Sequence, residues 1–218
     1  MSAGLVVGLI LCGVSFLSPL AGQTRAEHSQ AVARVSARLE PEIRRAMLEG
    51  SIPSITIALT DRVGELWAGA YGHSNLWAGT PASTHTVYLI GSTFKAQSTI
   101  ALLQQMEVGH FALDDRVNDY LAEFQIRGEV EASPVTFRHL LTHTSGLPAA
   151  YGAHPVWGET VPPPLPEYLA DSLGVERKPK ERVVYSNLAY SLVAYLVEQF
   201  SGVPYRDYIR DRIWAPLG

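Results

Sequence analysis

Two short stretches carry the residue types that acyl-transfer chemistry needs. The first is "IGSTFK", residues 90–95, where Ser92 and Lys95 stand three apart at the predicted start of an apolar helix. A serine hydroxyl is a poor nucleophile until a neighbouring base takes its proton, and a three-residue step along a helix returns a side chain to the same face. Lys95 can therefore reach Ser92. The free N–H groups and positive dipole end of a helix start also favour charge developing on a carbonyl oxygen, and Gly91 lets a substrate approach closely. Alone, such a pair is usually a cap and a solvated side chain. A lysine in the first turn opposes the dipole, however, and one leading a buried helix is desolvated, which favours the neutral amine that can accept a proton.

The second stretch is "VVYSNLAY", residues 183–190, which sets Tyr185 and Asn187 immediately before another apolar helix. Taken alone these are a buried tyrosine and an asparagine N-cap. Beside Ser92 and Lys95 they acquire roles: the Tyr185 phenol can shuttle the serine proton to a leaving group, and Asn187 can bind a substrate amide or position the lysine. His139 and His143, at i and i+4, can ligate a metal in principle. With no third ligand evident and no HExxH pattern, a zinc site is rejected, and the chemistry above requires no metal or organic cofactor.

The elements that must hold these residues follow from periodicity. Val32, Val35, Leu39, Ile43 and Met47 recur at steps of three and four, predicting an amphipathic helix that stops at Gly50, with Pro41 a possible kink. "IPSITIALT", the turn "DRVG" and "ELWAGAYG" predict a hairpin with Ile55, Ile57 and Leu59 on one face. From Thr93 onward helices dominate. The first is apolar on nearly every face between Ile100 and Met106, which predicts a buried, central helix. Asp114 can cap "DRVNDYLAEF" and Thr136 can cap "FRHLL". Leu188, Leu192, Leu196 and Phe200 stripe a helix ending at Gly202, and Pro204 suits the first turn of the next. The proline-rich "AHPVWGETVPPPLPEYL" reads as a stiff surface connection.

Composition sets the setting. With 218 residues, 47% hydrophobic, the chain is globular and can bury one sizeable core or two modest ones. A net charge of −4 with mixed signs gives no face for nucleic acid. Residues 1–24 hold no charged side chain and read as a secretory signal peptide, with a retained membrane anchor as the alternative. The only cysteine, Cys12, lies in that segment, so the mature chain is expected to have no disulfide, as suits a secreted or periplasmic bacterial protein.

Taken in order, "YLIGSTFK", "LDDRVNDYLAEF", "VTFRHLLTHTSGLP", "YSNLAYSLVAYLVEQFSGVPYRDYI" and "IWAPLG" make the chain resemble the serine β-lactamase and penicillin-binding protein family, in its class C β-lactamase-like branch. The resemblance runs from about residue 30 to the last residue. It implies an α/β part plus an all-α part in a β-lactamase/transpeptidase-like fold, an antiparallel sheet flanked by helices with an inserted helical domain. It places the nucleophile on Ser92, the lysine on Lys95, and the tyrosine and asparagine on Tyr185 and Asn187. "HTSG", residues 143–146, is implied to shape the floor of the helical domain without a catalytic part.

The implied activity is a serine hydrolase acting through an acyl-enzyme on β-lactam, D-Ala-D-Ala peptide or ester carbonyls, with a small-molecule or peptidoglycan-derived substrate and no membrane insertion after signal cleavage. A non-catalytic penicillin-recognising binding protein of the cell envelope is the alternative. The family's third motif, Lys or His before a small residue and Gly, is missing, as are the C-terminal sheet strands. The expected organisation is therefore a signal peptide at 1–24, the N-terminal part of an α/β domain at 25–90, and the nucleophile helix with the helical domain at 91–218, together the N-terminal portion of a longer enzyme and inactive or nearly so alone.

Overall fold

The predicted N-terminal helix and hairpin both form. The computed structural model describes residues 25–149 and 163–218, so the expected signal peptide with Cys12, and residues 153–162 of the proline-rich connection, lie outside the described residues. The chain divides into two compact units, one ending at Tyr88 and the other running from Leu89 to Gly218.

In the first unit, α1 (Arg25–Gly50) continues through Pro41. Ile43 is buried and Val32, Leu39 and Met47 are half-buried beside it, whereas Val35 is 45% exposed. A period of 3.6 puts residues 32, 36, 39, 43 and 47 in line and leaves 35 at the edge of the stripe. Strand β1 (Ser54–Thr60) pairs antiparallel with β2 (Glu65–Asn75), setting Ile55 opposite Tyr71, Ile57 opposite Gly69 and Leu59 opposite Trp67. The turn between them is closed by Asp61, whose Oδ1 accepts the N–H groups of Val63 (2.7 Å) and Gly64 (3.0 Å). A two-residue β3 (Thr80–Pro81) adds to β2, giving the order β1-β2-β3.

The second unit is helical: α2 (Phe94–Glu107), α3 (Phe137–Leu141), α4 (Leu165–Ser172), α5 (Asn187–Ser201) and α6 (Tyr205–Ile209), the last running on through a wide turn to Trp214. Its core gathers Leu102 from α2, Phe137 and Leu140 from α3, Leu169 from α4, and Leu188, Leu192 and Leu196 from α5, each fully buried or nearly so. Phe111 stacks on Phe137 with ring centroids 3.8 Å apart, and both lie against Phe200. No helix among the described residues is long and apolar enough to cross a membrane.

Two expectations are corrected here. Helix α2 is buried on one side only, because Ile100 is 48% exposed while Ala101 and Leu102 are fully covered. Its covered side is also partly polar. Ser98 bonds the Tyr205 hydroxyl (2.5 Å), Gln105 donates to the Tyr208 hydroxyl (2.6 Å), and that hydroxyl donates to Gln104 (3.0 Å), so each buried polar group finds a partner on α6. Asp114 caps no helix. The segment after it forms only a tight turn, Val117–Tyr120, while Arg138 grips Asp114 with two bonds of 2.8 Å. Asp115 instead closes the local bend, accepting from Ala112 N–H (2.8 Å) and the Tyr120 hydroxyl (2.6 Å). Thr136 does cap α3, in a reciprocal arrangement in which His139 Nδ1 accepts the Thr136 N–H at 3.1 Å.

Candidate active site

Ser92 lies in a tight turn, Gly91–Thr93, that runs straight into α2. Gly91 holds φ 51°, a left-handed backbone that a side chain resists, although a Cβ there would meet nothing within 4 Å. The glycine is thus present for its backbone. It aims the chain so that the exposed Ser92 stands one turn before Lys95. The helix start is anchored by Phe94, whose ring meets Tyr205 and Trp214 edge-on, each at 6.2 Å, while Trp214 Nε1 donates to Gln97 at 2.6 Å.

Lys95 is half-buried and sits at the centre of the cluster. Its Nζ donates to Ser92 Oγ at 3.0 Å and to Asn187 Oδ1 at 2.8 Å, and it lies over the Tyr185 ring at 4.7 Å and the Tyr190 ring at 5.5 Å. A contact of 3.0 Å serves a proton in either direction, from ammonium to hydroxyl or from hydroxyl to a neutral amine. With Oδ1 engaged by Lys95, the Asn187 amide still has its Nδ2 hydrogens for a substrate carbonyl.

The four sequence candidates Ser92, Lys95, Tyr185 and Asn187 are therefore brought together. Asn187 is not the N-cap, however: Ser186 is, its buried Oγ accepting the Ala189 N–H at 3.0 Å and donating to the Pro148 carbonyl at 2.6 Å. Asn187 is the first residue inside α5, and its side chain is free to turn to Lys95. Tyr185, 47% exposed, occupies the extended segment before the helix. Burial pushes its phenol up, but hydrogen-bonding to Lys95 and then Ser92, with the Lys95 charge, outweighs this and brings it below the ordinary tyrosine value.

The segment carrying Tyr185 is held by residues 143–149. The His143 carbonyl accepts the Val184 N–H (2.8 Å), His143 Nδ1 accepts the Ser186 N–H (3.1 Å), and the Ala149 carbonyl accepts the Asn187 N–H (3.3 Å). Gly146 lets this loop press close, since a Cβ there would lie 2.0 Å from the Arg177 carbonyl oxygen, and its φ is 77°. His139 and His143 both spend Nδ1 on backbone N–H groups, and among the described residues no group of three or more His, Cys, Asp or Glu side chains is placed to hold a metal.

Two residues at the site escape sequence reasoning. Tyr190 follows Asn187 by three residues, and that spacing on the first turn of α5 was an available signal. His143 contacts Tyr185 across some forty residues of chain, and no local pattern announces such a contact.

Comparison with known proteins bears on the family and the fold. The Beta-lactamase family model matches residues 33–218. Penicillin-binding protein 4* of Bacillus subtilis is 29% identical over 158 residues, which is 70% of this chain and 34% of that protein. The octameric penicillin-binding protein homologue from Pyrococcus abyssi superposes with a TM-score of 0.70 at 31% identity, over 84% of this chain and 43% of that one. EstCE1, a hydrolase with promiscuous acyltransferase activity, superposes with a TM-score of 0.69 at 26% identity, over 87% of this chain and 52% of that one. The chain thus spans between a third and about half of the length of these relatives. Its helices and small antiparallel sheet have the β-lactamase/transpeptidase fold, and the chain belongs to the β-lactamase family.

Proposed function

We propose that the protein is a secreted or periplasmic serine hydrolase that works through an acyl-enzyme. The observation that carries this reading is the pair of bonds from Lys95 Nζ to Ser92 Oγ (3.0 Å) and Asn187 Oδ1 (2.8 Å), with the Tyr185 ring beside the same nitrogen. Ser92 Oγ attacks a carbonyl carbon as its proton passes to the Lys95–Tyr185 pair, which acts as one coupled acceptor. The pair then gives the proton to the leaving nitrogen or oxygen as the C–N or C–O bond breaks. Water, activated by the same pair, adds to the ester carbonyl and frees the acid and the serine.

The lowered phenol of Tyr185 supports its part, since a tyrosinate near Lys95 is easier to form than an ordinary one. The penicillin-binding relatives support a β-lactam ligand, and EstCE1, a hydrolase with promiscuous acyltransferase activity, supports hydrolysis through an acyl group held on the enzyme. The test is turnover by the full-length protein of a chromogenic cephalosporin, a D-Ala-D-Ala peptide and a p-nitrophenyl ester, beside Ser92→Ala. Expected is turnover of at least one class that falls by roughly 10³-fold or more in the variant. Undiminished turnover in Ser92→Ala, or none of the three by the wild type, would refute the reading.

A further inference from the structure

One residue touches the site in three ways that the mechanism above does not use. His143 is a non-glycine residue held at φ 57°, a backbone state that persists only where the surroundings require it. From that position its carbonyl accepts the N–H of Val184 (2.8 Å) and its Nδ1 accepts the N–H of Ser186 (3.1 Å). These are the two residues flanking Tyr185. Its imidazole also packs on the Tyr185 ring, centroids 4.3 Å apart and 30° between planes, and on the Tyr190 ring at 5.2 Å. Those are the two rings that lie under the Lys95 nitrogen.

We propose that His143 is a positioning residue for the proton relay: its carbonyl and Nδ1 clamp the backbone on both sides of Tyr185 while its ring face holds the phenol toward Lys95 and Ser92. The inference rests on the role given to Tyr185 above, and it assigns to "HTSG" a part in the chemistry beyond shaping a floor. It also fixes the tautomer. An Nδ1 that accepts must be unprotonated, so the ring hydrogen is on Nε2 and the imidazole is neutral. Among the described residues, the titratable and charged groups facing the ring are Lys95 from α2, Tyr185 from the segment before α5 and Tyr190 from α5. Burial, and then the Lys95 charge, hold His143 below the ordinary histidine value, which keeps the acceptor available at neutral pH.

The clamp predicts which substitutions matter. His143→Phe keeps a stacking ring but removes the acceptor, freeing Ser186 N–H and the Tyr185 segment. His143→Asn keeps an acceptor in place of Nδ1 and tolerates the left-handed backbone. The readout is the titration of Tyr185, followed by carbon NMR of the tyrosine Cζ in the full-length protein and assigned by the signal lost in Tyr185→Phe. Expected is a Tyr185 midpoint below the ordinary value of about 10 in the wild type and His143→Asn, rising toward about 10 in His143→Phe. An unchanged midpoint in His143→Phe, or equal displacement in both variants, overturns the assignment. Should His143→Phe fail to melt cooperatively, His143→Ala carries the same test without added bulk. The readout needs no turnover, so absence of a Ser92 acyl adduct refutes the hydrolase reading, whereas an unmoved Tyr185 titration refutes the clamp.

Discussion

Asn187→Ala separates a residue that holds Lys95 from one that merely starts a helix. Lys95 Nζ donates to Ser92 Oγ at 3.0 Å and to Asn187 Oδ1 at 2.8 Å, beside the Tyr185 phenol, and the substitution deletes the shorter of these two bonds. A hydrogen bond to a charged group is worth ~1.5–3 kcal/mol. Both partners are only half-buried, so solvent screens the bond and ~1–2 kcal/mol is the appropriate range. At ~1.4 kcal/mol per tenfold, Ser92 acylation should slow by about 5- to 30-fold. Stability should not follow it down, because the cap, Ser186, is untouched and alanine is a better helix former than asparagine in the first turn that follows it. The assay is the rate of adduct formation with an activated acyl probe, read by intact mass, beside a thermal melt. A rate within twofold of wild type, or a melting point lowered by several degrees with the rate lost in proportion, would refute the reasoning.

Three further outcomes test the frame around the site. Leu102→Ala, at a fully buried position, should cost ~2–5 kcal/mol in denaturant unfolding, whereas Ile100→Ala, 48% exposed two residues earlier, should cost well under half as much; equal losses would mean that α2 is buried all round. His139 is held below the ordinary histidine value of about 6.5, chiefly by burial, so below that pH the unfolded chain takes up a proton the folded one refuses. Stability should be flat above pH about 6.5 and fall on acidification through the lowered value; melts of His139→Gln, which keeps a capping acceptor, should show a smaller acid loss, and an identical loss would exclude His139 as a source. Gly146→Ala forces a side chain into φ 77° and against the Arg177 carbonyl, so it should destabilise by on the order of 1–3 kcal/mol or more and slow acylation; a neutral effect on both would mean the loop need not press so close.

What could be read in the sequence was what depends on local spacing. Ser92 and Lys95 meet because three residues make nearly one helical turn, and the hairpin and the stripe of α5 follow from periods of two and 3.6. Choices between chemically equivalent neighbours were not legible. Ser186 and Asn187 are both good caps, and Pro148, distant in the chain, decided for Ser186 by accepting its hydroxyl. Asp114 and Asp115 are adjacent carboxylates, and Arg138, 24 residues on, took the one expected to cap. Ile100 continues an apolar run yet lies on the open side of α2, since a run of apolar residues does not say which face the packing covers. In the sequence His143 offers a metal ligand or a part of the helical floor, whereas its contacts with Tyr185 and Ser186 exist only in the folded chain.

The central claim is that Ser92 forms an ester with the substrate's acyl group. The direct measurement is peptide mapping by mass spectrometry of the full-length protein, quenched during reaction with an activated acyl probe. The account predicts one added acyl group, carried by the peptide containing Ser92 and absent from Ser92→Ala although that variant melts as the wild type does. An adduct on another residue, or one that persists in Ser92→Ala, would contradict it.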